Sequence, residues 1–353
     1  MRPHQENPSR DPSCDHCAPE PRARWYTQPK QWVLRVVVPL LVLGVIWPPL
    51  RPAVLTFWDY VTRTWWAIGL GLVFGGVIER FVPQVYIAKL LARPGPKTIA
   101  LSTGLGFLFS SCSHGCLALS MALYKKGASP ASVISFLLAS PWASLSLTLM
   151  MLSLFGLKGL VIVGAALVVA FVTGLAFLRL ERQGAIERNP NTVSVEAAFS
   201  IAGDLRRRAA QYRLTSRQLF DDARAVARGA GALADMVIWW VAIGFFLASC
   251  LGAFIPHAAF VRYFGPTLLG LLATMAVATV IETCSEGSAP LAFEFFRQTG
   301  ALGNSFAFLM GGVVTDATEL GLIWTNVGKK AALWMVALTL PQVFVLALLL
   351  NRW

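Results

Sequence analysis

Polar positions are scarce over most of this chain and cluster at a few places. Seven apolar runs, 33–50, 65–82, 130–155, 159–178, 233–254, 304–326 and 331–351, come close to the length of a bilayer-crossing helix or exceed it. At about 1.5 Å rise per residue, about 20 such residues cross a hydrocarbon core of about 30 Å. Two more runs, 98–124 and 266–296, are each interrupted by a Cys-Ser-x-Gly stretch. None shows the strict polar–apolar alternation of a membrane β-barrel strand. The pattern therefore predicts an all-α polytopic membrane protein.

The interruptions recur in register. With an offset of 172, Cys112, Ser113 and Gly115 fall on Cys284, Ser285 and Gly287, and the stretch 136–140 (FLLAS) falls on 308–312 (FLMGG). Upstream, 65–83 (WWAIGLGLVFGGVIERFVP) resembles 239–256 (WWVAIGFFLASCLGAFIP). This order of features predicts a duplication. Charge then predicts its topology, because Lys and Arg collect on the cytoplasmic side. If 98–124 enters and leaves on one face as a re-entrant hairpin, 24 of the 30 basic residues lie inside; only Arg51, Arg63, Lys158, Arg262, Arg297 and Arg352 remain outside. Each repeat then has three transmembrane helices plus one broken-helix hairpin, and the odd number of crossings inverts the second copy. Inverted repeats with broken helices at the midplane are a recurring transporter plan.

The expected organisation is a disordered cytoplasmic tail (1–32), a first transmembrane helix with an outer loop (33–62), a first repeat (63–180), a basic cytoplasmic loop (181–232) and a second repeat (233–353). The expected setting is a cell inner membrane, multi-pass, with the N-terminus in the cytoplasm.

Composition narrows the class further. The 353 residues are 56% hydrophobic and only 14% charged, where a soluble domain carries about a quarter charged residues. The net charge of +12 does not point to nucleic acid. Much of it lies between Arg179 and Arg228, with ten Lys or Arg against six acids. Such a segment suits anionic lipid headgroups. Six cysteines, four of them in apolar runs, make no disulfide framework. No signal peptide is expected, because the first thirty-odd residues are polar and contain proline. Cys14 and Cys17 form a Cys-x-x-Cys beside His16 that could hold a soft metal.

The two motif tips read Cys112-Ser113-His114-Gly115-Cys116 and Cys284-Ser285-Glu286-Gly287-Ser288. Glycine lets backbone turn or a ligand approach closely. Thiolate and imidazole favour soft or borderline metals. Cys112, Ser113, His114, Cys116, Cys284, Ser285 and Glu286 are therefore the candidate substrate contacts for a thiophilic solute. Ionisable residues inside a membrane are costly and mark functional sites. Glu282, Glu286 and Asp316 are the candidates for coupling to protons or another ion, while Glu294 and Glu319 read as structural. Pro141 and Trp142 interrupt another run and predict a kink. No ATP-binding GxxxxGK[ST] loop occurs, and the pattern calls for no cofactor.

The stretch 112–142 (CSHGCLALSMALYKKGASPASVISFLLASPW), the later 282–296 (ETCSEGSAPLAFEFF) and their spacing resemble the ArsP/YraQ-type predicted permeases, over roughly residues 65–351 without the central loop. That resemblance implies an inner-membrane permease rather than an enzyme. It also implies export of trivalent organoarsenicals, with Cys112 and Cys284 matching the motif cysteines. His114 stands where the family commonly has a second cysteine, Ala118 faces Pro290 in the repeat, and 311–320 (GGVVTDATEL) lacks the expected proline. The alternatives are a membrane scaffold or sensor, and an intramembrane thiol oxidoreductase using Cys112 and Cys116.

Overall fold

The computed structural model describes residues 29–81, 91, 95–108, 113–125, 127–142, 144–190, 203, 206–207, 210, 215–281 and 284–352. All regular structure among them is helical. The chain enters through α1 (Pro29–Trp32), one wide π turn (Val33–Val37) and α2 (Val38–Ile46). Pro39 has no N–H, and its ring crowds the carbonyl four residues back; the wider turn, with Val38 N–H bonded to Val33 O, makes room for it.

Two series of helices follow. The first is α3 (Arg51–Phe81), α4 (Pro96–Leu108), α5 (Ser113–Lys125), α6 (Pro130–Ala139), α7 (Leu145–Phe155) and α8 (Leu157–Arg182). The second is α9 (Ser216–Phe254), α10 (His257–Phe264), α11 (Leu268–Ile281), α12 (Ser285–Thr299), α13 (Leu302–Thr315), α14 (Ala317–Asn326) and α15 (Lys329–Leu350). The starts of α4 to α8, at 96, 113, 130, 145 and 157, recur 172 residues later at 268, 285, 302, 317 and 329.

The ends of these helices follow from local chemistry. Ser144 caps α7, its Oγ accepting from Leu147 N at 2.9 Å, and Asp316, 172 residues on, caps α14 by accepting from Thr318 N at 2.7 Å. Such oxygens satisfy N–H groups that have no partner inside the helix. Gly156 and Gly328, also 172 apart, carry φ of 63° and 147° at the turns into α8 and α15, a backbone region that costs glycine little.

Contacts repeat at the same offset. Ser102 Oγ donates to Ser132 O, and at the equivalent positions Asn304 Nδ2 donates to Thr274 Oγ1. Gly106 faces Ala139, and Ala278 faces Gly311. Across the two series, the rings of Phe155 and Phe296 lie 5.5 Å apart, while Tyr124 OH donates to Val327 O at 3.5 Å. These are the same two positions with the halves exchanged, since 124 and 155 plus 172 give 296 and 327. The long helices also meet their counterparts, α3 along α9 and α8 against α15.

Five helices among the described residues are long and apolar enough to cross a membrane: Pro48–Ile78, Leu157–Arg182, Ser216–Phe254, Leu302–Asn326 and Lys329–Leu350. The pair His257–Phe264 and Leu268–Ile281, bent by 97°, makes a sixth if it is one span. Leu269, Val280 and Ile46 are each more than three-quarters exposed, which fits a surface whose solvent is lipid. The protein is an all-helical, multi-pass membrane protein.

Some boundaries differ from the expected ones. The run 130–155 is two short helices, because Pro141 offers no N–H to continue the first and Ser144 caps the second. A helix begins at Arg51, inside the segment read as outer loop, and α9 begins at Ser216, inside the segment read as basic loop. Charged residues on a lengthening helix lie beyond the apolar window that marks the span, so hydropathy alone cuts such helices short.

Candidate functional site

The second motif stands where one helix ends and another begins. α11 stops at Ile281 and α12 starts at Ser285. Cys284 is extended (φ −173°, ψ 163°) and caps α12, its Sγ accepting from Gly287 N at 3.3 Å. Its thiol also reaches Glu286 Oε2 at 3.8 Å, and Ser285 Oγ donates to the same oxygen at 3.2 Å. Cys284, Ser285, Glu286 and Ser288 are all buried. Glu286 sits in the first turn of α12, where the helix dipole favours negative charge.

Glycine clamps this turn in place. A Cβ on Gly244 of α9 would overlap the carbonyl oxygen of Gly287. Only two glycines let these backbones approach so closely.

Of the first motif, Ser113 is the first described residue and stands at the head of α5. Cys116 is fully buried within that helix. Cys112 lies outside the described residues, and so do the side chains of Ser113 and His114. Glu282, Cys14 and Cys17 are likewise outside them. The structure thus brings Cys284, Ser285 and Glu286 together. Asp316 is placed elsewhere, at the junction of α13 and α14, with its carboxylate engaged as a cap. Among the described residues, no group of three or more His, Cys, Asp or Glu is arranged to hold a metal ion.

A second buried acid is more heavily engaged. Glu294, fully buried, accepts from Tyr60 OH, from Arg297 Nε and Nη2 at 2.9 and 2.8 Å, and from Gln298 Nε2 at 2.8 Å. Arg297 and Gln298 are three and four residues on, a helical spacing that sequence reveals. Tyr60 comes from another helix 234 residues away, and no local pattern announces it. Around it Tyr60, Phe245, Phe293, Phe155 and Phe296 form a chain of ring contacts joining α3, α7, α9 and α12. In the break between α6 and α7, the fully buried Trp142 finds no acceptor for its indole Nε1 among the described residues.

The chain is similar in sequence to two proteins of other organisms. The chain is 21% identical over 273 residues to the UPF0718 protein YcgR of Bacillus subtilis, covering 74% of this chain and 84% of that protein. It is 25% identical over 237 residues to "Putative permease Rv2963" of Mycobacterium tuberculosis, covering 63% of this chain and 58% of that one. No solved structure matches it. Residues 50–352, the whole of both helix series, match the family ArsP_1, described as predicted permease. With its apolar spans, the chain belongs to this family of membrane permeases, a class of transporters rather than enzymes.

Proposed function

We propose that the protein is a secondary transporter for a small thiophilic solute, a trivalent organoarsenical or a soft-metal species. The solute binds between the two Cys-Ser-x-Gly turns. The observation that carries this reading is the buried Cys284 at the start of α12, beside Ser285 and Glu286. By the 172-residue offset, Cys112, Ser113 and His114 stand in the places of Cys284, Ser285 and Glu286, and Cys116 in that of Ser288. Thiol and imidazole from one turn and thiol and carboxylate from the other form a donor set for a soft cation.

Two inverted repeats are part of the proposal. The recurring helix starts, the exchanged contacts Phe155–Phe296 and Tyr124–Val327, and the pairing of α3 with α9 support a twofold relation between the halves. The distribution of basic residues supports hairpins, an inner-membrane location and a cytoplasmic N-terminus. Glu286, adjoining Cys284, is the proposed proton carrier, together with Glu282; Asp316 acts in this reading as a helix cap.

The test is uptake into inverted membrane vesicles of methylated and inorganic trivalent arsenic, zinc, copper and an arsenic-free anion. Wild type is compared with Cys112→Ser and Cys284→Ser at matched expression. Transport of one thiophilic solute, lost in both variants, is the expected result. Transport untouched by either change overturns the thiol site, and no transport of any solute favours a membrane scaffold instead.

A further inference from the structure

A charged groove lies away from the motif turns, where the end of α3 meets the beginning of α9. One part of it, about 430 Å³, is lined by Arg80, Asp221, Arg224 and Arg228. It continues into a part of about 350 Å³ floored by Gly76, Gly229 and Ala232. Small residues make the floor because the helices touch there, Gly76 meeting the backbone of Val226 and Ala230. Three arginines thus face one cleft between the two halves of the molecule.

Two acids temper this charge. Arg80 holds Asp222, with Nε and Nη2 at 3.0 and 2.7 Å from the same oxygen, and Asp221 lines the groove. That pair fixes Arg80 in the wall while leaving its side chain about half exposed. Among the described residues, neither Arg224 nor Arg228 has an ion pair. Their forked donors match the oxygens of a phosphate.

The depth of the groove identifies the bearer of that phosphate. The apolar stretch of α3 gives way to Glu79 and Arg80, and α9 carries Asp221, Asp222, Arg224 and Arg228 before its own apolar stretch at 233–254, so the groove lies at the membrane–water boundary. Phe220, four residues before Arg224 and so its neighbour on the surface of α9, is 69% exposed, and Phe81, which follows Arg80, is 49% exposed. A free phosphate has no use for exposed phenyl groups, whereas a lipid whose chains lie against them does. We infer that this groove seats the phosphate of an anionic phospholipid, clamped by Arg80, Arg224 and Arg228 between α3 and α9. The inference needs a membrane-embedded chain but not the thiophilic solute; which leaflet supplies the lipid rests on the proposed orientation.

Native mass spectrometry and thermal unfolding of the detergent-purified protein test it, with phosphatidylglycerol, phosphatidylcholine or glycerol phosphate added. Wild type should retain one phosphatidylglycerol and gain thermal stability from it, with neither effect from the other two. R224Q/R228Q should weaken retention about tenfold or more, as expected for two interfacial arginines. R206Q/R217Q removes the same charge outside the groove and should retain the lipid like wild type. If R224Q/R228Q does not fold, R224K/R228K keeps the charge without the fork and should still bind severalfold more weakly. Undiminished retention in the groove variants, or equal retention of phosphatidylcholine, would overturn the seat. Binding of glycerol phosphate as strong as that of the lipid would overturn the lipid in favour of a soluble anion.

Discussion

The phenol of Tyr60 donates a 2.5 Å hydrogen bond to the carboxylate of Glu294, tying α3 in the first helix series to α12 in the second. The carboxylate is fully buried, so it depends on these donors as an exposed acid would depend on water. Tyr60→Phe keeps the ring contacts and removes one donor of four. Bonds to charged groups contribute about 1.5–3 kcal/mol, and the other three donors hold the loss near the lower end. A fall of a few degrees in thermal midpoint in detergent is expected, and a larger one for Arg297→Ala, which strips two bonds. An unchanged midpoint in both would show that the network contributes nothing to stability.

Cys284 has two separable roles, cap and thiol. Serine caps helices well, so Cys284→Ser should fold with wild-type stability and lose thiophilic transport. Cys284→Ala should lose transport and also about 1 kcal/mol of stability, the usual cost of a missing cap. Thermal unfolding beside vesicle uptake separates the two. Full transport by Cys284→Ser would remove the thiol from the mechanism.

Gly244 leaves no room for a methyl group, because Gly287 O occupies the position. Gly244→Ala must push α9 and α12 apart and should cost about 1–3 kcal/mol, as overpacking does. Transport should fall as well, since the displaced backbone carries Cys284 and Glu286. Gly69→Ala on α3, where a Cβ meets nothing, serves as control and should behave as wild type in both assays.

Asp316 is engaged as a cap, an interaction that asparagine reproduces. Asp316→Asn should keep both stability and transport, while Asp316→Ala should lose about 1 kcal/mol. Loss of proton-driven transport in Asp316→Asn, with folding intact, would return this residue to the coupling machinery.

Much of the architecture is legible in the residues themselves. Runs of about 20 apolar residues leave few structures open, because in lipid each backbone N–H and C=O must be paired within the segment. Cys-Ser-x-Gly does open a helix at Ser285, with Cys284 as its cap. The kink expected at Pro141 is a full break, since Ser144 also starts a new helix.

The site is less legible. Cys284, Ser285 and Glu286 are neighbours in sequence as well as in space, so their grouping was readable. Asp316 drew attention as a charge in an apolar run, but its partner, the Thr318 N–H, belongs to the backbone and leaves no mark in composition. Glu294 with Arg297 and Gln298 shows helical spacing; Tyr60 does not.

By itself, then, the sequence determined the helical class, the helix start after Cys284 and the 172-residue register, all of which depend on near neighbours, chain chemistry and the length of apolar runs. The tertiary structure alone decided that Tyr60 meets Glu294, that Gly244 lets α12 close on α9, and that Arg80, Arg224 and Arg228 share one groove. In a membrane the outer and inner faces of a helix are both apolar, so hydropathy marks a span without naming the partner it packs against. Close packing and paired polar groups select that partner, and both are properties of two surfaces brought together.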